Sequence, residues 1–86
     1  MNTEDSQKIV KRFFEALYYL KSIGKIRGKA TFTKEYNIDR WNLNKLEKEP
    51  SRDIFQPCWL YYLVRDYNIS ARWLLTGKGN IESKTM

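Results

Sequence analysis

Apolar residues recur at three- and four-residue spacing between Asp5 and Ile23: Ile9, Val10, Phe13, Phe14, Leu17, Tyr18 and Leu20 share one side of a helix. Lys8, Lys11, Arg12, Glu15 and Lys21 share the other, and Gly24 is the predicted stop, with Lys21 and Lys25 near the carbonyl end where positive charge is favoured. A second, two-turn pattern runs from Ala30 to Tyr36. Thr31, Phe32 and Thr33 are weak helix formers, so packing of Phe32 and Tyr36 has to hold it together.

Asn37, Ile38 and Asp39 then form a sharp break. Asparagine tolerates positive φ better than any residue but glycine, Ile38 plugs the angle between two helices, and Asp39 caps the next one. Along that helix, 39–48, Leu43 and Leu46 lie on one side. Arg40, Asn44, Lys48, Trp41 and Lys45 occupy, in that angular order, an arc of about 140° on the other. Pro50 and Ser51 end it. Gln56-Pro57 opens a further helix with Trp59, Leu60, Leu63, Val64 and Tyr67 inward, ending near Asn68. Ser70 caps a last short helix, Ala71 to Leu75, closed by Gly77. Ala30-Thr31-Phe32-Thr33 and Tyr61-Tyr62 score locally as β but have no partner strand. The pattern predicts an all-α fold of five helices, one domain over residues 1–76, and a flexible C-terminal tail over 77–86.

Composition narrows the function. The chain has 86 residues, too few for two separate cores, but 15% are aromatic, which suits a small, well-filled one. Sixteen Lys and Arg against ten Asp and Glu leave a net charge of +6, which attracts polyanions. A membrane is the weaker candidate: no apolar run approaches the roughly 18 residues needed to span, and neither end carries a lipidation pattern. The acidic, polar start Met1-Asn2-Thr3-Glu4-Asp5 is the wrong chemistry for a signal peptide, so the expected location is cytoplasmic. A single cysteine, Cys58, excludes an internal disulfide. The absence of histidine removes the commonest metal ligand and general base. Glu35, Asp39, Glu47 and Glu49 are scattered and read as caps and ion-pair partners, so no catalytic residue, metal or cofactor is expected and the chain does not read as an enzyme.

The stretch Phe32-Thr33-Lys34-Glu35-Tyr36-Asn37-Ile38-Asp39-Arg40-Trp41-Asn42-Leu43-Asn44-Lys45-Leu46-Glu47-Lys48 resembles the helix-turn-helix unit of the lambda-repressor-like, XRE-type family found in phage repressors and bacterial regulators. A more specific likeness lies in Tyr67-Asn68-Ile69-Ser70-Ala71-Arg72-Trp73-Leu74-Leu75-Thr76-Gly77-Lys78-Gly79. It is similar to the Tyr-x-Val-Ser-x-x-Trp-Leu-Leu-Thr-Gly-x-Gly closing segment of phage-type members. The resemblance covers roughly residues 13–81. The chain departs from the pattern at Thr33, where alanine is usual, at Lys29, where many members carry glutamine, and at Trp41, where a small polar base-reading residue is usual.

The resemblance implies a compact five-helix lambda-repressor-like domain with its helix-turn-helix at the second and third helices. It implies a sequence-specific transcriptional regulator, a phage-type repressor, whose partner is double-stranded DNA. In such folds the third helix enters the major groove, which makes Arg40, Trp41 and Asn44 the base-contacting candidates. Lys25, Arg27, Lys29, Lys45, Lys48 and Arg52 are the phosphate-contacting candidates, which position without reading sequence. About five such contacts correspond to a log–log salt slope of roughly −4 to −5. Trp59, Tyr61, Tyr62 and Trp73 exceed what a small core readily buries, so a homodimer through the C-terminal helices is expected. The alternative function is a protein-interaction module of the same fold, such as an antitoxin.

Overall fold

Thr3 begins the first helix by accepting a hydrogen bond from Ser6 N–H at 3.1 Å, so the helix starts one residue before the expected Asp5. In the computed structural model, which describes residues 3–83, helix α1 then runs over Glu4–Ser22. Helices α2 (Lys29–Glu35), α3 (Arg40–Lys48), α4 (Cys58–Tyr67) and α5 (Ala71–Thr76) follow. The fold is all-helical. The only extended pairing among the described residues is an isolated antiparallel bridge between Ile69 and Glu82.

Each boundary has a local cause. Gly24 and Gly77 adopt left-handed φ of 79° and 77° at the ends of α1 and α5, and Asn37 and Asn68 do the same at 55° and 57° after α2 and α4. Asp39 and Ser70 cap α3 and α5 as their sequence positions predict. Pro57 itself is the N-cap of α4, so the helix begins one residue later, at Cys58. The β-prone stretches 30–33 and 61–62 are both helical.

The core is built around Phe13, whose ring meets Phe14, Phe32, Phe55 and Trp59 with centroids 5.1–5.8 Å apart, mostly edge to face. Val10, Leu17, Leu20, Leu43, Leu46, Leu63, Trp73 and Leu74 complete it. Three contributors come from segments that carry no helical period: Ile26 in the basic loop is buried, and Ile54 and Phe55 before α4 pack against the cluster. Tyr18, placed with the apolar face by spacing, is instead about half exposed and turns its hydroxyl to Glu47.

Residues 81–83 lie within the segment expected to trail as a tail, yet they return to the body. Ser70 N–H donates to the Ile81 carbonyl at 2.8 Å, and Ser83 N–H to the Asn68 carbonyl at 2.9 Å. Residues 84–86 of that segment lie outside the described residues. Arg12, read as an outer-face cation of α1, donates from Nε to the Leu74 carbonyl at 2.7 Å and from Nη2 to the Leu75 carbonyl at 3.0 Å. It thereby satisfies carbonyls at the end of α5 that have no partner within the helix. Among the described residues, no helix is long and apolar enough to cross a membrane.

Candidate nucleic-acid interface

The turn between α2 and α3 is fixed by hydrogen bonds at every step. Thr33, buried where a smaller residue would fit easily, donates its hydroxyl to the Ala30 carbonyl at 3.1 Å, so its polar atom is satisfied inside the helix. Ile38 N–H reaches back to the Thr33 carbonyl at 2.8 Å across the left-handed Asn37, and the Ile38 side chain is half-buried against the core. Asp39 Oδ1 accepts from Trp41 N–H at 2.9 Å and Asn42 N–H at 3.3 Å. Four residues thus reverse the chain, and the N–H groups of Trp41, Asn42 and Leu43 all bond to Asp39.

Helix α3 divides as the angular pattern predicts. Leu43 and Leu46 are fully buried. Arg40, Trp41 and Lys48 are exposed, and Asn44 and Lys45 half-buried. Trp41 has 66% of its surface in solvent, and Lys45 Nζ sits 4.0 Å from its ring centroid, a cation–π contact within the helix face. Among the described residues, no acidic group pairs with Arg40, Lys45 or Lys48.

The remaining cations fall into three surroundings. Lys29 on α2 donates to Glu47 on α3, and Tyr18 on α1 donates to the other oxygen of the same carboxylate. Partial burial pushes the Glu47 carboxyl up. The hydrogen bonds from Lys29 and Tyr18, and the Lys29 charge, outweigh it, so the group is held below the usual range. Three helices therefore meet at Glu47, and Lys29 is committed there. Lys25 and Arg27 line an open cleft of about 490 Å³ with Ile26, Thr31, Lys34 and Glu35, and neither is in an ion pair with a described residue. Arg52 pairs with Glu49 at 3.2 Å and lines a different recess, beside Ile9, Val10 and Phe55.

A second lock holds α2 against α4. Tyr36 stacks on Tyr62 with centroids 4.1 Å apart and planes 4° from parallel, and its hydroxyl donates to Asp66 at 2.5 Å. The Tyr67 hydroxyl donates to Glu35. Burial and then these acceptors raise both phenols, Tyr67 to about 12. Arg65 pairs with Asp66 at 2.7 Å and lies over the Tyr61 and Tyr62 rings. The hydrogen bonds from Arg65 and then Tyr36 hold the Asp66 carboxyl down at about 2. So the helix carrying Arg40 and Trp41 is oriented from one side by Glu47 and reached from the other through α2 and this tyrosine cluster.

With this geometry the chain was compared with known proteins. No family model, curated protein or solved structure matches it. The sites above therefore rest on their own chemistry. Among the described residues no group of three or more Cys, Asp and Glu side chains is gathered tightly enough to hold a metal ion.

Glu47, read as a cap or ion-pair partner, does pair, with Lys29; what spacing misses is Tyr18, which it places as one more apolar position, and the three-helix junction the two residues form. The one available signal was that Tyr18 carries a hydroxyl on an otherwise apolar face, and that such a group needs a partner when it is not in water.

Proposed function

We propose that the chain is a sequence-specific DNA-binding regulator, a repressor of the lambda-repressor-like, helix-turn-helix kind, that reads the major groove with α3. The observation that carries this reading is the outer face of α3. Arg40, Asn44, Lys45 and Lys48 put cations and a bidentate amide on one exposed stripe, over a turn rigidly closed by Asn37 and Asp39. A helix that served only as a solvated surface would be expected to pair such charges with acids of its own, but here Glu47 is turned inward to Lys29 and Tyr18.

Arg40 and Asn44 are the hydrogen-bonding base readers, for guanine O6/N7 and adenine N6/N7 respectively, each worth about 1–3 kcal/mol of discrimination when bidentate. Lys25, Arg27 and Lys48 take phosphates, and the Lys45 ammonium lies against the Trp41 ring. Pairing of two half-sites through a dimer formed by α4 and α5 supplies the affinity that one helix lacks. The exposed apolar side chains on those helices are Tyr61, 57% exposed, and Val64 on α4, and Leu75 on α5.

Selection of bound duplexes from a random pool tests the proposal directly. The expected outcome is a shared motif whose preference at one position is relaxed by Arg40→Ala, while Lys48→Ala weakens all sequences alike. The second reading, a protein-interaction module such as an antitoxin, is favoured by the same exposed Tyr61, Val64 and Leu75 surface. It predicts tight binding to a protein and duplex binding that barely responds to salt.

A further inference from the structure

We infer that Trp41 reads the C5-methyl group of a pyrimidine, thymine above all, and that Lys45 is the positioning residue that holds the indole in place to do so. The inference rests on the DNA-binding reading above and adds to it a ligand feature and a residue for each role.

The three tryptophans are not equivalent. Trp59 and Trp73 are 4% and 9% exposed and belong to the core, whereas Trp41 leaves two thirds of its surface in water. The fold has no packing use for it. Its backbone is nevertheless fixed, because Trp41 N–H is bound by the Asp39 cap and sits in the first turn of α3. The Lys45 ammonium lies 4.0 Å from its ring centroid, a cation–π contact that favours one placement of the indole. A large apolar plane thus lies between Lys48 and Lys45 on a stripe whose other members all donate hydrogen bonds.

The floor of the major groove offers hydrogen-bonding groups for those neighbours, and only one apolar feature: the methyl at C5 of thymine. That group matches a desolvating surface and nothing else on the stripe. Insertion between base pairs, the other use of an exposed apolar side chain, is made by wedges entering from the minor groove, whereas α3 is assigned to the major groove. Lys45 lies over one face of the indole, so the free face and edge are what a ligand meets.

The test uses the whole chain and the duplex it selects from a random pool. Each thymine in that duplex is replaced singly by uracil, which removes the methyl and leaves the hydrogen-bonding edge intact. Burial of one methyl corresponds to about a four-fold loss of affinity at one thymine per half-site, and 5-bromouracil there restores binding. In Trp41→Ala, with helicity unchanged by circular dichroism, the same replacement is expected to cost less than about two-fold, because the partner of the methyl is gone. Trp41→Phe keeps part of the penalty. Lys45→Met reduces the penalty while the protein still binds, and Lys45→Arg, which keeps a cation over the ring, retains it.

An undiminished uracil penalty in Trp41→Ala, or no sensitive thymine in the wild type, overturns the inference and leaves DNA binding standing. Absence of any salt-dependent duplex binding by the wild type overturns both. A wild-type duplex sharply bent at the α3 site would assign Trp41 to wedging instead and would equally overturn the methyl reading.

Discussion

Replacing Lys48 by alanine removes a cation that no described acid neutralises, and its loss has a magnitude that the structure sets. Each phosphate contact changes log affinity by about 0.9 per tenfold change in salt. Taking 1 M salt as the point where counterion release contributes nothing, one contact is worth about eight-fold at 0.1 M and about four-fold at 0.2 M. Lys48→Ala is therefore expected to flatten the slope by about 0.9 and to lose affinity by those factors. Lys29 is the control. Its ammonium already lies against Glu47 with both side chains about one quarter exposed, so Lys29→Met should move the slope by less than about 0.3. What it costs instead is stability, about 1 kcal/mol, between the values for exposed and for buried pairs. Fluorescence anisotropy on one labelled duplex, titrated at four or more salt concentrations, reads the slopes, and urea unfolding reads the stability. Equal flattening by both variants would refute the division of cations drawn from the structure. So would a Lys48→Ala deficit that is independent of salt.

Phe13→Ala empties the centre of the aromatic cluster and should cost about 3–5 kcal/mol. That is a large part of the roughly 4–13 kcal/mol expected for a chain of this size, so the variant is expected to unfold at markedly lower urea. Asn37→Ala should destabilise by about 1 kcal/mol, because its φ of 55° is unfavourable for a side chain without a local hydrogen bond, whereas Asn37→Gly should stay within about 0.5 kcal/mol; thermal melts compare the two. Tyr67 is raised to about 12 by burial and its bond to Glu35, so its contribution is complete below the unfolded value near 10 and is lost as pH rises through 12. Tyrosinate absorbance should lag free tyrosine over that window and then rise together with loss of helicity. Asp66 has the opposite sign: held down at about 2, its contribution is present above the unfolded value near 3.9 and disappears as pH falls through 2, which acid unfolding of Asp66→Asn against wild type would report.

What sequence could and could not tell divides by distance along the chain. Asn37, Asp39, Ser70 and Gly77 act on their immediate neighbours, and each does in the structure what its residue type predicts. Thr33 departs from the expected alanine and is accommodated by its own helix. Leu43 and Leu46 follow from the period of α3 alone. Arg12 is the opposite case. Its partners are 62 and 63 residues away, so on α1 it is indistinguishable from Lys8 or Lys11. Glu47 likewise draws its partners from two other helices. Ile26 and Phe55 lie in segments with no repeating pattern, where a single apolar residue carries no periodic signal of burial. The candidate groove-reading stripe was therefore legible, and the apparatus that orients it was not.

The bonds from Arg12 to Leu74 and Leu75, and from Tyr19 to Glu82, have a temporal consequence. Synthesis delivers α1 first and residues 74–82 among the last, so the earliest helix waits for its final partners until nearly the whole described chain has been made. Until then the apolar face of α1 meets only the part of its core that α2, α3, Phe55 and α4 supply. The domain should accordingly close in one late step, when the end of α5 is in place.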